Sequence, residues 1–255
     1  LDRLLRGLAG LEGSWEVKVT GGEPFVFPGF LDRVVPGLVA RGHRVSVLTN
    51  LSAPVEELER FAHLAGERLA VVSASLHLDS TTPVAFLGRL EALRAAAHPG
   101  TRVVVNSVLV PDRLAQVRAA RQVVEERGFR FFPQVMKVKH GIHPYSPDQV
   151  KEVAMIVGGL ERAEASREAN LAPSYSGRRC LAGWRYFVLM QDGAAWACRS
   201  GRRHGQGWLG NVASGTWALR PEAKTCPYPM CPCAVPANRG MVEGVPARAG
   251  GPGDG

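Results

Sequence analysis

Five short apolar segments, each followed by a stretch of helical period, occupy the first 165 residues and leave few folds open. The strand-like segments are residues 16–20, 44–48, 69–75, 102–109 and 129–135. Between them, residues 30–40, 52–65, 83–97 and 112–127 place apolar side chains at three- and four-residue spacing. Ser146-Pro147-Asp148-Gln149 is a capping box with proline at the first helical position, and it opens a further helix toward residue 163. Units of this length suit right-handed crossovers, so the pattern predicts an α/β fold with a parallel sheet and helices outside it. Strands this apolar are expected to be covered on both faces. Periodicity alone leaves an open doubly wound sheet and a barrel equally possible.

Beyond about residue 170 the helical period stops. Residues 186–190 and 194–199 flank Asp192-Gly193, a strong hairpin signal. A boundary is expected near 166–178, dividing a domain of residues 1–165 from one of 166–237. The Gly-, Pro- and Ala-rich stretch 238–255 reads as a disordered tail. Residues 4–11 read as an opening helix.

All five cysteines lie in the last third: Cys180, Cys198, Cys226, Cys231 and Cys233. A clustered odd number, in a chain with no visible signal peptide, points to metal or cluster ligation rather than a disulfide framework. The four-cysteine options are an iron–sulfur cluster or a structural zinc site. The apolar runs are strand-sized, so no membrane span is expected and the protein reads as cytoplasmic. The net charge of +8 invites an acidic partner, such as nucleic acid or a phosphorylated substrate. No basic run interleaved with aromatics supports nucleic acid, and the arginines are expected to be scattered over helix faces. Lys137, Lys139, His140 and His143 follow the last strand on the same rim; they could neutralise an acidic substrate, and a solvated loop is the favoured reading.

Thr20-Gly21-Gly22-Glu23-Pro24-Phe25 leaves the first strand at its C-terminal end, the edge where parallel sheets bind ligands. Paired glycines permit positive φ and close approach of a ligand. Glu23 adds a carboxylate suited to an ammonium group, and Pro24 stiffens the exit. The motif is also compatible with a plain glycine-rich turn.

Gly-Gly-Glu-Pro at this place resembles the radical S-adenosylmethionine (SAM) superfamily, whose second barrel strand ends in such a motif and binds the methionine amino group of SAM. Leu48-Thr49-Asn50 looks like the third strand, Val72 to His77 the fourth, Val104-Val105-Asn106-Ser107 the fifth and Phe132-Pro133-Gln134 the sixth. The resemblance spans roughly residues 1–235. It implies a partial (β/α)6 TIM-like barrel lacking its first strand. SAM contacts are expected at Gly21, Gly22, Glu23, Pro24, Thr49, Asn50, Ser75, His77, Asn106 and Gln134. Ser75 and Asn106 also fit a local role in satisfying backbone groups, and His77 a hydrogen-bonded position on the rim.

The superfamily holds its catalytic [4Fe–4S] cluster by Cys-x3-Cys-x2-Cys after the first strand, and no cysteine precedes Cys180. That strand and loop are expected upstream of Leu1, which would leave this chain inactive alone. A homologue that has lost its cluster is the other option. Cys180-x12-Gly193-x4-Cys198 resembles the opening of the SPASM and twitch modules, which carry auxiliary [4Fe–4S] clusters. Cys180 and Cys198 are the first ligands by this likeness, then Cys231 and Cys233, with Cys226 able to replace either; Trp184, Trp196 and Trp208 would shield the centre. The resemblance implies a SAM-cleaving enzyme that abstracts hydrogen from a peptide or protein, in the manner of a maturase, with flavodoxin or ferredoxin as reductant. A small-molecule substrate and a non-catalytic iron–sulfur or zinc barrel are the alternatives.

Overall fold

Strand–helix alternation produces a sheet wound in one direction. The computed structural model describes residues 1–139, 141–159 and 169–247. Its helices include α1 (Asp2–Leu8), α2 (Val35–Val39), α3 (Val55–Ala65), α4 (Pro83–Ala96), α5 (Leu114–Glu126) and α6 (Pro147–Val157), with short ones at Arg199–Arg203 and Val235–Asn238. Two compact units are distinguished. One comprises Leu11–Gln134 and Tyr145–Ile156, the other Leu1–Gly10, Val135–Pro144 and Val157–Gly255.

In the first unit, β1 (Glu16–Val19), β2 (Arg44–Thr49), β3 (Leu69–Ser75), β4 (Arg102–Leu109) and β5 (Arg130–Val135) form one sheet in the order β1-β2-β3-β4-β5. The pairs β1–β2, β2–β3 and β3–β4 are parallel. A doubly wound sheet must reverse strand order at a switch point. An unreversed order with right-handed crossovers puts every connecting helix on one face, as in a barrel wall. Among the described residues the sheet does not close, and β1 and β5 are its edges.

The helix-side face carries Val45, Val47, Ala70, Val72, Ala74 and Val105, each at most 1% exposed. α2 packs on β2, α5 on β4, and α3, α4 and α5 pack in series. Leu58 and Phe61 of α3 and Phe86 and Leu90 of α4 are fully buried there. The other face is polar in part, and Ser46, Ser73 and Asn106 on it are buried. Register and the two-residue period place Glu16, Lys18, Ser46, Ser73, Ser75, Arg102 and Asn106 on it. Hydrogen bonds cross this face: Ser46 Oγ donates to Glu16 Oε1 at 2.6 Å and Lys18 Nζ to Ser73 Oγ at 2.8 Å.

Local chemistry explains the helix ends. Thr82 caps α4 by accepting from Ala85 N, with Pro83 at the first position. At α6 the capping box is reciprocal: Ser146 N donates to Gln149 Oε1 at 2.9 Å and Gln149 N to Ser146 Oγ at 3.3 Å. α6 ends at Val157, before Gly158 and Gly159 at positive φ; residues 160–163 of the expected helix lie outside the described residues. The expected helix 30–40 begins as a π turn over Phe30–Val34, in which Gly29 O accepts from both Arg33 N and Val34 N. Pro36, with no N–H to donate, sits just after that irregularity.

The second unit contains the antiparallel pair β6 (Lys137–Val138) and β7 (Gly141–Ile142), and the pair β8 (Arg179–Cys180) and β13 (Lys224–Thr225). It also holds a four-stranded sheet of β9 (Val188–Leu189), β10 (Ala194–Trp196), β11 (Trp208–Asn211) and β12 (Thr216–Trp217), in the order β12-β11-β10-β9. β9 and β10 pair across the Asp192-Gly193 turn, with Ala195 opposite Leu189. The unit boundaries differ from the sequence expectation. Helix α1 belongs here, where a Cβ at Gly7 would come within 2.4 Å of Val212, and Val135 N donates to Asn170 O. Residues 238–247, the first part of the expected tail, are among the described residues. Val242 is 3% exposed and bridges Cys180, and Leu181 N donates to Met241 O. Residues 248–255 lie outside the described residues.

Candidate functional site

In the first unit the C-terminal ends of the strands carry the polar residues. Gly21 (φ 100°) and Gly22 (φ 56°) follow β1 in the left-handed region and are exposed. A Cβ built on either meets nothing within 4 Å, so backbone conformation rather than crowding demands glycine here. Glu23 then turns back onto the end of β2. Its Oε1 accepts from Thr49 Oγ1 at 2.8 Å and its Oε2 from Asn50 N at 2.7 Å. Pro24 is buried and begins a short 3-10 turn, Pro24–Val26, capped by the same carboxylate. Phe25 fixes the turn by edge contacts with Phe30 and Phe61, whose rings stack on each other.

The β2 end is equally constrained. Thr49 is 2% exposed and its Oγ1 accepts from Leu51 N, while Asn50 Oδ1 accepts from Ser52 N. Leu51 is buried at φ 57°, a left-handed conformation rare for a branched side chain and often found beside ligand sites. Further along the rim, Ser75 is half-buried and opposite Asn106 in register. Asn106 is 7% exposed and its Nδ2 has no hydrogen-bond partner. A buried amide donor left unpaired costs about 1–3 kcal/mol, and a ligand acceptor would remove that cost. The structure thus joins Glu23, Thr49 and Asn50 directly, and Ser75 with Asn106 by strand register. His77 lies exposed beyond β3, and Gln134 is on β5, the opposite edge strand from β1. Lys18 and Ser73 on the polar face were missed in the sequence; the alternation of Glu16-Val17-Lys18-Val19 was the available signal.

In the second unit the thiols share one electrostatic neighbourhood. Cys180 lies opposite Lys224, and Cys226 directly follows β13. Cys198 leads into the short helix Arg199–Arg203, its Sγ accepting from Gly201 N at 3.2 Å. A Cβ on Gly201 would come within 2.7 Å of the backbone oxygen of Gln206 and 3.0 Å of Tyr228 Oη, so this close wrapping needs glycine. Cys231 Sγ donates to Cys233 O at 3.1 Å, and Tyr186 Oη lies 3.5 Å from Cys233 Sγ.

Burial pushes the Cys180 thiol up, with Cys226 and Cys198 adding to the rise. Burial likewise raises Cys198. Cys231 is pushed up to about 12 by burial and then by Cys233, with Cys198 and Cys180 contributing. Tyr186 is raised well above the usual phenol range by burial and Cys233. Lys137 is not in a solvated loop as expected: burial lowers its pKa, and Cys233 partly opposes the shift. His140 lies outside the described residues. Among the described residues no three His, Cys, Asp or Glu side chains converge tightly enough to hold a single metal ion.

No family model matches the sequence, and no curated protein matches it. Solved structures do share its fold. Native anSMEcpe with bound AdoMet and a Kp18Cys peptide is similar at a TM-score of 0.56 and 13% identity, covering 85% of this chain and 70% of that one. SuiB of Streptococcus suis is similar at a TM-score of 0.55 and 15% identity, covering 84% and 56%. A histidine-tagged form of anSMEcpe with bound AdoMet has a TM-score of 0.54 at 14% identity, covering 85% and 67%. The likeness is one of fold. This chain therefore spans little more than half of SuiB and about two thirds of anSMEcpe.

Proposed function

We propose that the strand-end rim binds SAM and that the chain serves a radical SAM enzyme acting on a peptide or protein. The observation that carries this reading is the Glu23 tie. One carboxylate locks the β2 end beside an open pair of positive-φ glycines, and on the same sheet Asn106 offers an unpaired buried donor. The fold shared with AdoMet-bound proteins supports it, as does the peptide present in one of those structures.

SAM and a reduced [4Fe–4S] cluster, when bound, would supply radical chemistry for abstracting hydrogen from a substrate. The residues present here bind and orient. Gly21 and Gly22 admit the methionyl group against bare backbone, and Glu23 offers its remaining lone pairs to the ammonium. Pro24, Thr49 and Asn50 hold that carboxylate in place. Ser75 and Asn106 donate to ribose or carboxylate oxygens, while His77 and Gln134 extend the rim. The radical step also needs a Cys-x3-Cys-x2-Cys segment, which these residues do not contain.

The thiols Cys180, Cys198, Cys226, Cys231 and Cys233 fit an auxiliary [4Fe–4S] cluster. Buried thiols with raised pKa values ionise readily only beside a cation. The test is anaerobic reconstitution with iron and sulfide, followed by SAM titration of wild type and Asn106→Leu. Bound iron with sulfide, and weaker SAM binding by the variant, are expected. Zinc without sulfide, or equal SAM affinity for both proteins, would overturn the reading.

A further inference from the structure

The polar face of the five-stranded sheet holds a cation aimed across its own neighbour. Lys18, near the end of β1, is exposed, and its ammonium passes over β2 to donate to Ser73 Oγ on β3 at 2.8 Å. Ser73 is 3% exposed. Its register partners are Leu48 on β2 and Val104 on β4, both half-buried. Residues directly opposite one another share a face of the sheet. The ammonium therefore stands over a buried hydroxyl that two aliphatic side chains flank.

Charge on this face is unbalanced toward cations. Register adds Arg44, opposite Glu16, and Arg102, opposite Val71, so on β1 to β4 Lys18, Arg44 and Arg102 meet one acid, Glu16. Glu16 already accepts from Ser46 Oγ at 2.6 Å. A tie between strands needs only a neutral donor, whereas a lysine brings three donors and a full charge. Aliphatic walls exclude part of the water that would screen that charge. Ser73 lies two residues before Ser75, which puts it about 6.6 Å below the Ser75–Asn106 row of the rim. A glutamyl side chain and one hydrogen bond span that gap.

We propose that Lys18 determines specificity by binding a carboxylate on a short aliphatic stem, so that the substrate is a peptide segment bearing an Asp or Glu side chain. The proposal deepens the reading of the rim as a SAM site and rests on it for placing that segment beside SAM. The Lys18 ammonium donates to one carboxylate oxygen. Ser73, which accepts from Lys18, has its own O–H to donate to the other. Leu48 and Val104 pack along the stem. Bonds to a charged acceptor are the strong class of hydrogen bond, so a neutral amide in the same place is held less tightly.

The test measures, by isothermal titration, binding of short peptides to the full chain. The probes are Ala-Glu-Ala-Ala with both ends blocked, Ala-Gln-Ala-Ala with both ends blocked, and the Gln peptide with its C-terminal carboxylate open. Wild type should bind the Glu peptide about tenfold or more tightly than the blocked Gln peptide. Lys18→Met should abolish that preference. Lys151→Met, which removes the same charge from exposed α6, should leave it intact. Circular dichroism and Tm confirm that each variant is folded. A lysine with only a structural role would lower Tm in Lys18→Met and leave the preference undiminished, and that result overturns the proposal. So does equal wild-type affinity for all three peptides. Tightest binding of the open-ended Gln peptide would assign the ammonium to a chain terminus and overturn the acidic side chain. SAM titration of the same proteins separates the two readings. Carboxylate selectivity without SAM binding supports the Lys18 site and refutes the SAM rim, while SAM binding without selectivity does the reverse. A loss of SAM affinity in Lys18→Met as large as the loss for the Glu peptide would give the ammonium to the carboxylate of SAM and overturn the proposal.

Discussion

Replacing Glu23 by Ala removes the acceptor for two donors at the end of β2, Thr49 Oγ1 at 2.8 Å and Asn50 N at 2.7 Å. A hydrogen bond to a charged group contributes about 1.5–3 kcal/mol. Asn50 is exposed and its N–H regains water, so its share falls to about 0.5–1 kcal/mol. Thr49 is 2% exposed and has no such replacement. The expected loss is about 3 kcal/mol, and at about 2–4 °C per kcal/mol for a chain of this size the Tm falls by about 6–12 °C. A double-mutant cycle in urea, with Thr49→Val as the second change, isolates the contact. The coupling should be about 1.5 kcal/mol or more. Additivity within about 0.5 kcal/mol would show that the carboxylate does not hold this turn, and the argument for a preorganised rim would go with it.

Gly22→Val should destabilise by about 1–2 kcal/mol through its φ of 56° alone, since nothing crowds the position. Gly22→Asn should cost clearly less, and urea denaturation compares the two. Phe61→Ala removes the ring that stacks on Phe30 and meets Phe25, and should cost about 3–5 kcal/mol in the same assay. The metal-free protein should lose stability at alkaline pH. The unfolded Cys231 thiol ionises near 9 while the folded one waits until about 12, so the unfolded state binds fewer protons in that window and stability falls by at most about 1.4 kcal/mol per pH unit. Cys231→Ala should flatten that fall, as followed by Tm against pH.

Local signals in this sequence translated well. The bounds of β3 and β4 follow from their apolar runs, and the Ser146–Gln149 box closes reciprocally. The hairpin forms around Asp192-Gly193. Glu23, Thr49 and Asn50, flagged separately on two strands, meet through hydrogen bonds. What stayed hidden depends on reach across the fold. Lys18 bonds Ser73 over an intervening strand, and a four-residue strand is too short for its alternation to stand out. Lys137 reads as loop until its burial near Cys233 is known. α1 joins the cysteine-bearing unit through contacts more than 200 residues away, as at Gly7 and Val212.

The most direct measurement is of 5′-deoxyadenosine released from SAM by the anaerobically reduced, cluster-loaded protein. Release that falls sharply in Glu23→Ala and Asn106→Leu, with iron content unchanged, is the predicted result. A fully loaded, reduced protein that leaves SAM intact would contradict the account.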